Sequence, residues 1–168
     1  VNSSTVDKGD NNAPFENKRT ETDYLPIADP FVMLYNNKYY AYGTGGTVNE
    51  GFACFSSDDL KNWKRERQAL SADDSYGKWG LWAPEVYYIQ SKEKFYMFYS
   101  VEEHICVATS DSPVGPFRQE SKQPIWEEKS IDTSLFIDDD GTPYLYFVRF
   151  TDGNVIWVAQ MTDDLMKI

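Results

Sequence analysis

Three stretches of the sequence share one layout, in which an acidic residue precedes two strand-like segments joined by a short polar turn. The segments are rich in aromatic and β-branched residues, and the turns in Asn, Asp, Gly and charged residues, a pattern typical of β-hairpins. The three stretches are residues 27–42, 82–99 and 131–147. A repeated hairpin limits the chain to an architecture in which similar small sheets pack on one another.

The acidic residue holds a similar place in all three hairpins. When the second strands are aligned on their tyrosines, Asp29, Glu85 and Asp132 precede those tyrosines by 11, 11 and 12 residues. A single Asp beside a hairpin is ordinarily a turn former. Three acids at matching positions favour a shared functional role instead.

The spacing of the repeats predicts a β-propeller. Glu85 follows Asp29 by 56 residues, and Asp132 follows Glu85 by 47, close to the period of a four-stranded propeller blade. The predicted blades cover about residues 24–70, 80–121 and 130–168, the third incomplete and the second ending in an edge strand at 117–120. First strands of blades line the propeller axis, so the three carboxylates should meet in one funnel. An open β-sandwich built from the same strands is the alternative fold.

Residues 1–23 are polar and lack apolar periodicity, which predicts a flexible leader ahead of one domain at 24–168. The chain begins with Val1, and a propeller needs at least four blades, so we expect this sequence to be part of a longer protein. No signal peptide is visible. A polar leader before a glycan-handling domain favours an exported protein.

The composition of the chain limits the kinds of molecule that it is expected to bind. A formal charge of −11 argues against nucleic acid and anionic membranes, which attract basic surfaces. No apolar run is long enough to span a bilayer. Aromatic residues make up 16% of the chain, and their faces suit stacking against sugar rings. Oligomeric state is left open.

Paired carboxylates in an aromatic setting are the groups that glycoside hydrolysis requires. One carboxylic acid protonates the leaving oxygen, while the other activates water or attacks the anomeric carbon. The run Asp138–Gly141 (Asp-Asp-Asp-Gly) is predicted to be a hairpin turn rather than a calcium loop, because its acids do not alternate as EF-hand ligands do.

Five motifs together resemble glycoside hydrolase family 43, and the resemblance covers residues 24–168. They are ADP at 28–30, SSDDLKNW at 56–63, LWAPEV at 81–86, TSDSPVGPF at 109–117 and IDTSLFIDDDG at 131–141. The resemblance implies an all-β, five-bladed β-propeller of which this chain covers about the first three blades. It also implies an inverting enzyme that acts on arabinose- or xylose-containing plant glycans.

The same resemblance implies roles for individual residues. Asp29 matches the general base that activates water, and Asp132 matches the aspartate that tunes and orients the acid. The family's general acid is a glutamate in a later blade, so it should lie beyond the end of this chain. Residues 1–168 alone are therefore expected to be inactive.

The candidate substrate-binding residues are Glu85, Trp82, Phe31 and Phe136. Glu85 follows the Trp-Ala-Pro motif and is expected to line the site. Trp82 is either a stacking platform or a packed residue between blades. Phe31 and Phe136 are expected to form an apolar wall beside the acids.

The resemblance implies that no cofactor is required and no metal is bound by these residues, although a calcium or sodium ion can occupy the axis of the complete propeller. The expected partner is an oligosaccharide or polysaccharide. Two rival functions stay open: a propeller that binds glycan without cleaving it, and a related enzyme acting on fructans or mannosides.

Overall fold

The computed structural model describes residues 24–45 and 49–168, and the predicted leader at 1–23 lies outside them. In the described residues, ten strands form three antiparallel sheets, and within each sheet a strand pairs with the next along the chain. The first sheet contains β1 (Ile27–Tyr35), β2 (Lys38–Gly45), β3 (Gly51–Ser57) and β4 (Lys64–Ser71). The second contains β5 (Trp82–Ile89), β6 (Lys94–Val101) and β7 (His104–Ser110), and the third β8 (Ser130–Ile137), β9 (Pro143–Arg149) and β10 (Val155–Gln160).

The first hairpin turns in the way its sequence predicts. Tyr35 pairs with Lys38, which leaves a two-residue turn at Asn36 and Asn37. Both have positive φ, 48° and 59°, as the favoured two-residue turn requires, and Asn tolerates that conformation better than most residues.

The three sheets are arranged as consecutive blades. β5 contacts β1 on one side and β8 on the other, so the first strands lie side by side, where the propeller axis should be. This arrangement confirms the predicted partial β-propeller. No helix in the part of the chain that the structure describes is long and apolar enough to cross a bilayer.

Strand β6 is the clearest example of packing between blades. Phe95, Met97 and Tyr99 join an apolar cluster shared with the first blade, while Tyr96 and Phe98 join a second cluster shared with the third blade. Side chains of a strand alternate between its two faces, so one strand contributes to both inter-blade cores.

The outer edge of the second blade differs from the prediction. The expected edge strand at 117–120 is reduced to two isolated bridges, one between Arg118 and Thr109 of the same blade and one between Phe117 and Leu70 of the first blade. Phe117 instead donates its backbone N–H to Ala69 O of the first blade at 2.7 Å and is fully buried. This segment therefore joins the edges of two blades and does not form a full fourth strand of the second sheet.

The third blade keeps an exposed apolar face. The exposed large residues of this face include Phe136, Tyr146, Ile156 and Val158. Phe136 is 49% exposed, whereas Phe98 of the second blade is 0% exposed, because a neighbouring blade covers Phe98.

We predict that Phe98→Ala lowers the free energy of unfolding by about 3–5 kcal/mol, the usual cost of truncating a buried Phe. Phe136→Ala is the matched control and should change it by less than about 1 kcal/mol, because this ring is half exposed. Urea unfolding followed by fluorescence compares the two variants. Equal losses would contradict the two-sided packing of β6.

Candidate active site

A cavity of about 290 Å³ lies between the first strands of the three blades. Each blade contributes three consecutive residues to its wall, namely 29–31, 83–85 and 132–134. Asp29, Glu85 and Asp132 therefore surround one cavity, although they are separated along the chain.

Each first strand carries an irregularity where it reaches this cavity. The antiparallel register shifts between Ala28 and Phe31, between Trp82 and Glu85, and between Ile131 and Ser134. The residues that open these bulges are Asp29, Ala83 and Asp132, with φ of 46°, 45° and 55°. Left-handed backbone is unfavourable for most residues, and Asp tolerates it better than most because its short polar side chain can bond locally.

The register corrects the predicted equivalence of the three acids. Asp29 and Asp132 occupy the same bulge position in their blades, but Ala83 occupies that position in the second blade. Glu85 lies two residues further along, where it pairs with Phe98. Its structural equivalents are Phe31 and Ser134.

The length of the second hairpin's turn explains this shift. Ile89 pairs with Lys94, so the turn has four residues, two more than the first. It contains a 3₁₀ turn at Gln90–Lys92 and Glu93 with φ of 50°. Counting back 11 residues from Tyr96, as from Tyr40 to Asp29, therefore reaches Glu85, two residues beyond the true bulge residue Ala83. Glu85 still lines the cavity, because a shift of two residues keeps a side chain on the same side of a strand.

Asp29 is exposed at the cavity and is held by one hydroxyl group. Thr44 Oγ1, on β2 of the same blade, donates a hydrogen bond to Asp29 Oδ2 at 2.7 Å. Thr44 Oγ1 also accepts the backbone N–H of Ala83 at 2.9 Å. One threonine thus connects this carboxylate to the bulge of the neighbouring blade.

Asp132 lies in a less favourable electrostatic environment. Partial burial raises the pKa of its carboxyl group above the ordinary value, and the negative charge of Asp29 raises that pKa further. Both effects disfavour the charged form. The backbone N–H of Asp132 is bonded to Ser100 Oγ of the second blade at 3.0 Å.

Glu85 is bonded within its own strand. Tyr87 donates its hydroxyl hydrogen to Glu85 Oε2 and accepts the backbone N–H of Leu135 from the third blade at 3.2 Å. Burial raises the pKa of Tyr87, and the hydrogen bond to Glu85 raises that pKa further. The tyrosine thereby holds Glu85 in place and joins the second and third blades.

Of the candidate aromatic residues, Phe31 lines the cavity and Trp82 lies next to it. The ring centroid of Phe31 lies 5.4 Å from that of Tyr87. Trp82 is half-buried next to the cavity-lining Ala83, and its ring meets Trp79 edge to face at 6.4 Å.

Phe136 is not on the cavity wall, contrary to the expected apolar wall. It lies four residues after Asp132 on β8, about 13 Å along a strand that rises about 3.3 Å per residue. Contact of Trp82 or Phe136 with a glycan stays a prediction.

The polar residues that support the carboxylates were not predicted from the sequence; they are Thr44, Ser100 and Tyr87. One signal was available, because Thr44 and Ser100 each follow an aromatic residue of a second strand by two positions. Thr133 was missed as well. Thr133 lines the cavity, and its buried hydroxyl group lacks a hydrogen-bond partner among the described residues.

Within residues 24–45 and 49–168, no group of three or more His, Cys, Asp or Glu side chains is arranged to hold a metal ion. The run Asp138–Gly141 forms the predicted turn, with Gly141 N–H bonded to Asp138 O at 2.9 Å. An ion on the axis of the complete propeller stays a prediction.

Comparison with known proteins identifies the family. The model for glycosyl hydrolases family 43 matches residues 25–168. The match spans more than half of the chain, so the protein belongs to this family, as its motifs predict. Solved structures of the family are five-bladed β-propellers, and this chain forms part of one.

Individual relatives agree with this assignment. An endo-1,4-β-xylanase from Bacteroides thetaiotaomicron has 85% sequence identity and a TM-score of 0.85, with 89% of this chain and 52% of that chain covered. An endo-arabinase from the same organism has 28% identity and a TM-score of 0.76, with 86% and 54% covered. A probable arabinan endo-1,5-α-L-arabinosidase B from Aspergillus fumigatus is 27% identical over 172 residues, with 89% and 44% covered. The chain spans about half the length of these relatives.

We predict that Asp29→Asn lowers the pKa of Asp132 toward its ordinary value, because the substitution removes the neighbouring negative charge. Carbon-13 NMR titration of the Asp132 carboxyl group measures this change. Asp138→Asn removes one charge from an exposed turn and should leave the titration unchanged. If the titration midpoint of Asp132 is the same in the wild type and in Asp29→Asn, the two carboxylates do not interact.

Proposed function

We propose that this protein is an inverting glycoside hydrolase that acts on arabinose- or xylose-containing plant glycans. One observation carries the proposal: Asp29 and Asp132 stand at the same bulge position of two blades and line the same cavity. The bulges hold both aspartates at positive φ, and Asp29 raises the pKa of Asp132. A carboxyl group with a perturbed pKa that lines a cavity, as Asp132 does, is typical of catalytic sites.

In the proposed reaction, Asp29 is the general base. Its Oδ2 accepts the Thr44 hydroxyl, and Oδ1 is the oxygen that takes a proton from the attacking water. The water oxygen forms a bond to the anomeric carbon on the face opposite the leaving group, which inverts the configuration.

The departing glycosidic oxygen takes a proton from a carboxylic acid, for which we propose a glutamate outside residues 1–168. Inverting enzymes keep the acid and base about 6.5–9.5 Å apart, so that water fits between the base and the sugar. In this proposal Asp132 tunes the pKa of that acid, because the charge of a neighbouring carboxylate affects the pH at which an acid loses its proton. The protein's own side chains therefore perform the chemistry without a cofactor.

The substrate class is supported by the names of relatives that act on xylan or arabinan. Phe31 presents an apolar surface to the cavity beside Asp29, which suits the carbon-bound face of a sugar ring. Glu85 offers a carboxylate that can accept hydrogen bonds from sugar hydroxyls. We include Trp82 and Phe136 as further glycan contacts.

We propose that the protein is exported. One relative, from Bacillus subtilis, is named an extracellular endo-α-(1→5)-L-arabinanase and is 27% identical over 163 residues, with 84% of this chain and 48% of the relative covered. Plant polysaccharides are too large to enter a cell intact, so their hydrolysis fits an exported enzyme.

In the full-length enzyme, we predict that Asp29→Asn lowers kcat by about 10²–10⁴-fold, the usual contribution of general acid–base catalysis. Glycan binding should be largely retained, because the base acts in the transition state. Asp132→Asn should lower kcat and move the acid limb of the pH profile. Asp138→Asn is the surface control. Kinetics with aryl arabinosides and xylosides, together with calorimetric binding, separate these effects.

Weakened binding at normal kcat in both variants would refute the assigned roles. A full-length protein that binds arabino- or xylo-oligosaccharides without cleaving them would support the non-catalytic alternative.

We also predict that residues 1–168 alone do not hydrolyse aryl arabinosides or xylosides above background, because the proposed acid lies outside them. The full-length protein, assayed in parallel, is the positive control. Hydrolysis by the shorter chain that disappears in Glu85→Gln would show that Glu85 serves as the acid.

A further inference from the structure

The hydroxyl of Thr44 occupies an unusual position between two blades. Its oxygen accepts the Ala83 N–H from the second blade at 2.9 Å, and its hydrogen is donated to Asp29 Oδ2 at 2.7 Å. A hydroxyl group has a single hydrogen to donate. Because the amide occupies one of its lone pairs, the hydrogen is directed to the carboxylate.

The same connection recurs one blade further on. Ser100 Oγ accepts the Asp132 N–H at 3.0 Å. Thr44 pairs with Ala28 and Ser100 pairs with Trp82, so each hydroxyl lies opposite the residue that precedes the bulge. In both places, a second-strand hydroxyl accepts the amide of the next blade's bulge.

These bridges satisfy backbone groups that the bulges release. A bulge residue is unpaired within its own ladder, and its N–H needs another acceptor when it is removed from water. In the third blade, the position equivalent to Thr44 and Ser100 is held by Val148, which pairs with Ile131. A blade can therefore form without a hydroxyl group at this position. Thr44 differs from Ser100 in also donating to a carboxylate of its own blade.

We propose that Thr44 is a positioning residue that orients the Asp29 carboxylate and ties it to the bulge of the second blade. Ser100 provides the matching backbone anchor for Asp132. Both aspartates are thereby placed relative to the same middle blade, which fixes the geometry between them. This inference rests on the proposed function for its effect on rate, but the hydrogen bond itself can be tested without activity.

The kinetic test uses Thr44→Val, which removes the hydroxyl at nearly constant shape, and Thr44→Ser, which keeps it. In the full-length enzyme, Thr44→Val should lower kcat by about 10- to 100-fold, the scale expected when a reacting group is misplaced by about 1 Å. KM for an aryl xyloside or arabinoside should stay within about twofold, and Thr44→Ser should recover most of the lost kcat. Thr109→Val, on β7 away from the cavity, is the control and should match the wild type.

A purely structural threonine would not give this combination of a kcat loss with constant KM and recovery by serine. Wild-type kcat in Thr44→Val, or a loss that serine does not recover, would overturn the proposal. If Thr44→Val does not fold, Thr44→Ala replaces it in the same comparison.

The second readout is the carbon-13 resonance of the Asp29 carboxyl group. It should change in Thr44→Val, return toward the wild-type position in Thr44→Ser and stay constant in Thr109→Val. A resonance unchanged by Thr44→Val would overturn the proposal whether or not the protein hydrolyses glycans. An inactive wild type with the predicted spectral change would refute the proposed function and leave the positioning role supported.

Discussion

The bulge at the cavity end of each first strand is the constraint on which the site depends. It breaks the ladder at Asp29, Ala83 and Asp132 and holds each of these residues at positive φ. The break has two effects: it places a side chain at the cavity, and it frees the backbone from its own sheet. At the second and third bulges, the freed amide bonds to a hydroxyl of the preceding blade.

Packing between blades determines how the two aspartates are placed relative to each other. Each belongs to a different sheet, and the middle blade separates their sheets. Its strand β6 is buried on both faces, with Met97 facing the first blade and Phe98 facing the third. Protein cores of this kind resist small displacements, so a close-packed middle blade holds the cavity walls at a defined separation.

This rigidity maintains an unfavourable electrostatic arrangement. Asp29 raises the pKa of Asp132, and partial burial raises it more. Two like charges near one cavity cost stability, and a flexible structure would relieve that cost by moving them apart. The hydrogen bonds from Thr44 and to Ser100 oppose such movement. Proteins commonly accept such costs at sites that perform acid–base chemistry.

The sequence by itself determined the repeated hairpins, the partial propeller, the family and the meeting of three acids at one cavity. The hairpins follow from local patterns, because turn residues and strand alternation act over a few neighbouring positions. The propeller and the shared cavity follow from the spacing of the repeats, and the family follows from the five motifs. The two-residue Asn36–Asn37 turn is the clearest case, since Asn favours the backbone conformation found there.

Only the tertiary structure decided which residues are equivalent and what supports them. Ala83, rather than Glu85, matches the two aspartates, because the longer turn of the second hairpin changes the count without changing the strand pattern. The bonds from Ala83 to Thr44 and from Asp132 to Ser100 join residues 39 and 32 positions apart. Such contacts depend on how whole blades pack against each other. That packing results from many weak interactions spread along the chain, so no single sequence motif predicts it.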